Sequence, residues 1–103
     1  MIDVEYVRLL SRYNRWMNER LYAAASTLTD AERKTDRRAF FGSIHRTLAH
    51  LLWADRVWLG RFVGSPHPVA AYGADEHPGF AELAREREQA DLAILDWAGR
   101  LTD

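Results

Sequence analysis

The sequence contains no cysteine, which excludes disulfide scaffolds, thiolate metal sites and thiol nucleophiles. It has three prolines, Pro66, Pro68 and Pro78, all in one stretch. Nothing outside that stretch breaks a helix through proline. Lysine occurs once, as Lys34, against 13 arginines, and the formal net charge is only −1. No global field therefore draws the chain to nucleic acid or to an anionic membrane. No apolar run reaches transmembrane length, and Met1–Glu5 lacks a basic-then-apolar targeting pattern. What is present is ordinary for a globular chain: 103 residues, 48% apolar and 28% charged. That length predicts a single domain spanning residues 1–103, with one modest core. The composition points to a cytoplasmic protein with no nucleic-acid or membrane partner.

Three segments carry helical periodicity. From Val4 to Leu28, apolar residues recur at Val4, Val7, Leu10, Tyr13, Met17, Leu21, Ala24 and Leu28. The steps are three or four throughout, which predicts an amphipathic helix with that seam as its core face. Between Thr29 and Arg38 lies a polar run with Arg33, Lys34, Arg37 and Arg38, read as a loop or a frayed turn that is solvated rather than a nucleic-acid patch. The second helix is predicted over Phe41–Phe62, with Gly42 and Ser43 at its N-terminal cap. Its broad face carries Ile44, Leu48, Leu51, Leu52, Trp58, Leu59 and Phe62. A loop follows to Pro78, and a third helix starts near Phe80 with a seam of Phe80, Leu83, Ala90, Ile94, Trp97 and Leu101. Arg87 interrupts that seam and is expected to snorkel. Matched helices of ~33–37 Å favour side-by-side packing in a bundle.

Two positions on the second helix break its pattern. Trp53, with Ala49, Val57 and Gly60, forms a smaller apolar face opposite the main one, which predicts contact with another helix or chain. Asp55 stands inside the main apolar stripe and needs a partner. Arg12, Tyr13, Arg15 or the first turn of another helix are the candidates. A helix-locking ion pair is the leading reading, and a general base or support for a metal ligand is the other. Of the four histidines, His67 and His77 read as loop residues. His45 and His50 are about 140° apart on the wheel, so no His-x-x-x-His pair exists to share a metal.

Gly42, Ser43, Ile44, Leu48, His50, Asp55, Trp58 and Arg61 together resemble the second helix of the DinB-like, damage-inducible, four-helix-bundle proteins. Tyr13, Asn14, Arg15, Trp16 and Asn18 are similar to that family's first helix, and Phe80–Trp97 to its third. The resemblance implies an all-α up-down-down-up bundle. It implies a divalent metal, nickel or zinc, held by three histidines. One of these maps to His50; the other two would lie on a fourth helix that these residues do not contain. It further implies a metal-dependent thiol or group transferase, or a hydrolase, with a small thiol as substrate and a homodimer as the assembly. The metal site is expected to be incomplete in a single copy of these residues. The alternative is a non-catalytic three-helix module that closes its core by self-association, through the Trp53 face or the apolar seams.

Overall fold

The computed structural model describes residues 3–38, 41–64 and 79–102. The described residues form four helices and no strand: α1 (Val4–Ser26), α2 (Asp30–Lys34), α3 (Ile44–Val63) and α4 (Phe80–Gly99). The three long helices are those expected, with ends within a few residues of the periodic segments. The stretch 65–78, expected as a loop and containing His67 and His77, lies outside the described residues. None of these helices is long and apolar enough to cross a membrane.

Several helix ends have a local cause. Asp3 caps α1 by accepting from the Glu5 amide at 3.1 Å, and Ser43 caps α3 by accepting from the Arg46 amide at 3.1 Å. Gly64 ends α3 with φ +68°, a left-handed conformation that glycine adopts without a Cβ penalty. The polar run is not a loop throughout. Thr29 and Glu32 form a reciprocal capping box that nucleates the short α2. Arg33 is also not solvated. It donates to the carbonyl of Ala25, in the last turn of α1, and to that of Leu28, just beyond it, and lies 4.1 Å over the Phe80 ring.

α4 is the shared element. α1 runs antiparallel to it, since Arg8 donates to the Ala98 and Leu101 carbonyls, Asn18 reaches Asp91, and Tyr22 stacks on Phe80. α3 runs parallel to it, since Asp55 meets Arg87 and Phe62 stacks on Trp97. The order is therefore up, down, down, which is the expected all-α bundle topology for three long helices. The core contains Tyr22 and Ala25 of α1, Leu48 and Leu52 of α3, and Leu83 and Ala90 of α4.

The seam predicted for α1 is not its buried face. Ser11, Tyr22 and Ala25 are buried, and Asn14 and Asn18 lie partly buried between them. These residues follow the same three-and-four spacing, so α1 packs a largely polar stripe on α4. Its apolar stripe faces outward: Tyr6, Leu9, Leu10, Tyr13 and Trp16 are each 46–56% exposed. The broad face of α3 is split in a similar way. Leu48 and Leu52 are buried, whereas Leu51, Trp58 and Phe62 are exposed. Of the smaller Trp53 face, Ala49 packs against the core and Gly60 is buried, whereas the Trp53 ring stacks on His50 of the same helix.

Candidate functional site

Polar side chains from all three long helices meet along α4. Arg87 is 3% exposed and does not snorkel. Its Nη2 donates to Asp55 Oδ2 at 2.6 Å and to Asp91 Oδ1 at 2.7 Å, and its Nε donates to Asp91 Oδ1 at 3.1 Å. Asp91, 2% exposed, also accepts from Asn18 Nδ2 at 3.0 Å and from Asn14 Nδ2 at 3.3 Å. The chain of contacts Asp55–Arg87–Asp91–Asn18 thus crosses from α3 through α4 to α1. Asp55 has its expected partner, but the partner is Arg87 in mid-α4. Arg12, Tyr13 and Arg15 of α1 do not fill that role, nor does the first turn of a helix. Burial raises the Asp91 carboxyl above its ordinary value, outweighing the opposing pull of Arg87 and of the Asn18 hydrogen bond.

Tyr22 belongs to the same neighbourhood. Its hydroxyl is buried with no hydrogen-bond partner among the described residues. Burial pushes its pKa up to about 12, with Arg87 opposing and Asp91 reinforcing the shift. A cleft of about 390 Å³ lies between α1 and α4, lined by Arg15, Asn18, Tyr22, Arg87 and Asp91 among others. Arg87, with both neighbouring carboxylates engaged on it, acts as a clasp between helices.

His50 is placed elsewhere. Its ring stacks on Phe41 at 4.0 Å and on Trp53 at 5.5 Å, on a different side of α3 from Asp55. Asp55 therefore does not support His50 as a ligand; its carboxylate is committed to Arg87. His45 is buried at 2% exposure. Among the described residues no group of three or more His, Asp or Glu side chains is arranged to hold a metal ion.

The sequence reading missed Asn14, Asn18, Tyr22 and Asp91 as members of this arrangement. A signal existed. Arg87 and Asp91 stand at i, i+4, and Asn14, Asn18 and Tyr22 share one face of α1 at spacings of four.

The model of the DinB family matches residues 1–103. The chain belongs to the DinB family. No curated protein and no solved structure matches it. The match spans all three long helices of this DinB-family chain, so the clasp and His50 both fall inside the family region.

Proposed function

We propose that this DinB-family chain works as a cytoplasmic homodimer, a helical module whose apolar surface is closed by a second copy. The observation that supports it is the inverted amphipathicity of α1, whose polar stripe is packed inside while Tyr6, Leu9, Leu10, Tyr13 and Trp16 stand outward. A continuous stripe of that kind marks an interaction surface. Light scattering at increasing protein concentration tests the reading. A dimer is expected, and a monomer at every concentration overturns it.

A second reading takes the dimer as a metal-dependent enzyme, a thiol or group transferase or a hydrolase. His50 supplies one ligand to nickel or zinc, and a small thiol is the substrate. Family membership and the fixed, half-buried His50 ring support it. The described residues do not by themselves fit such a metal, because one histidine is not a ligand set. Further ligands would come from residues outside the described set or from the second copy. Calorimetric titration with nickel or zinc decides the matter. Binding that is lost in His50→Ala supports the reading; absent binding, or binding unchanged in that variant, removes it.

A further inference from the structure

The outward stripe of α1 has an internal symmetry that the folded chain does not use. Taking Tyr13 as the centre, Leu10 and Trp16 stand three residues away on either side. Leu9 and Met17 stand four away, and Tyr6 and Arg20 seven away. At 100° per residue all seven positions fall within about 60° of the Tyr13 direction. The spacing reads the same in both directions along the helix. The chemistry matches as well: apolar positions face apolar positions, and the outermost pair is an aromatic ring and a guanidinium. Arg20 already lies 4.9 Å over the Trp16 ring, so its guanidinium is held beside the stripe.

We propose that α1 pairs with α1 of a second copy in an antiparallel arrangement whose two-fold axis passes beside Tyr13; this rests on the homodimer reading above. An isologous interface requires a patch that is complementary to itself, and an antiparallel pairing of this stripe meets that requirement at every position. Tyr13 of the two copies meet at the axis. Leu10 packs against Trp16 of the second copy, and Leu9 against Met17 of the second copy. Arg20 lies over Tyr6 of the second copy as a cation–π pair at each end. A parallel pairing would instead set Arg20 beside Arg20, a like-charge contact. The half-exposed side chains of the stripe would bury on the order of 600 Å² per copy, approaching the roughly 800 Å² per partner of a standard interface. Residues flanking the stripe supply the remainder. The face of α1 that holds Asn14 and Asn18 against Asp91 points the other way, so pairing leaves the clasp intact.

The absence of cysteine makes the arrangement directly measurable. Single variants Arg12→Cys, Glu19→Cys and Ser26→Cys each give one spin-label site on the exposed flank of α1. In an antiparallel pair centred on Tyr13 the axial separation of equivalent labels grows by about 3 Å per residue of offset, giving ~3 Å at 12, ~18 Å at 19 and ~39 Å at 26. Pulsed electron–electron resonance on the three labelled full chains is expected to give distances rising steeply in that order. A scattering measurement on each labelled sample reports the assembly state independently. Dimers with three nearly equal distances overturn the antiparallel register while leaving the homodimer standing. Monomers overturn both. As a second variant, Tyr13→Glu is expected to weaken self-association at least ~100-fold, because it sets two carboxylates side by side at the axis. Unchanged self-association in that variant places the interface elsewhere.

Discussion

Arg87 occupies a position that the period of α4 assigns to the core, and the chain keeps it there by surrounding it with acceptors. Asp55 and Asp91 both accept from it, and Asn18 completes Asp91. Removing the cation alone would leave the buried Asp91 carboxylate with only the Asn14 and Asn18 amides, while Asp55, 37% exposed, keeps water. Arg87→Met is therefore expected to cost about 3–5 kcal/mol in urea denaturation, the range for breaking one partner out of a buried pair. Replacing Arg87, Asp55 and Asp91 together by apolar residues of similar volume should cost far less, because no charge is then left without a partner. Tyr22 presents the opposite case. Its hydroxyl is buried with no hydrogen-bond partner among the described residues, so Tyr22→Phe is expected to be neutral or to stabilise the chain by about 1 kcal/mol at neutral pH. The same residue sets an alkaline limit. With the folded pKa raised from 10.0 to about 12, the native state holds a proton that the unfolded chain releases. Stability should fall as pH climbs from 10 toward 12, and Tyr22→Phe should flatten that fall in denaturation curves collected across the range. Asp55 was legible in the sequence as a carboxylate in need of a partner. The identity of that partner was not, because a wheel places residues on one helix and says nothing about the register between two.

At the scale of elements, boundaries were more legible than faces. The ends of α3 follow from Ser43 and Gly64, both visible in the sequence as a cap and a stop. α2 was not found, since five residues are too few to show a period. Its capping box, Thr29 with Glu32, is nevertheless a sequence signature of a helix start. That box positions Arg33 under the C-terminal carbonyls of α1, as Arg8 is positioned under those of α4. Thr29→Ala should remove about 1 kcal/mol from the chain, the usual worth of such a cap. The loss should be concentrated locally, so hydrogen exchange is the informative readout: faster exchange is expected at Glu32 and Arg33, with α3 unaffected. The facing of α1 was illegible for a different reason. Two stripes run along it with the same spacing, one apolar and one built on Ser11, Asn14, Asn18 and Tyr22. Periodicity detects both and cannot say which one meets α4. The polar stripe wins that contact because Asp91 accepts from two of its amides.

For the whole molecule, the all-α bundle was legible because three long amphipathic helices have few other ways to bury their faces, whereas the up-down-down order came from the family resemblance. A metal centre was not legible in the same sense. His50 came from family resemblance, and the described residues bring no second or third ligand to it. Assembly is the property on which the outward stripe of α1 bears most directly. A small bundle that spends its polar face inward has a limited core of its own: among the described residues the main core cluster has six buried members, with Leu52 and Leu83 the largest fully enclosed apolar ones. If a second copy covers the apolar stripe, part of the folding stability comes from association and must depend on protein concentration. A tenfold rise in concentration is worth about 1.4 kcal/mol to a dimer, which for two chains of this size corresponds to a Tm increase of roughly 3–5 °C. Differential scanning calorimetry over a hundredfold range should show that increase twice over. Tyr13→Glu should abolish it while leaving the helical circular dichroism in place, because Tyr13 stands 56% exposed and outside the core. A Tm that does not move with concentration in the unmodified chain would mean that the stripe contributes nothing through self-association.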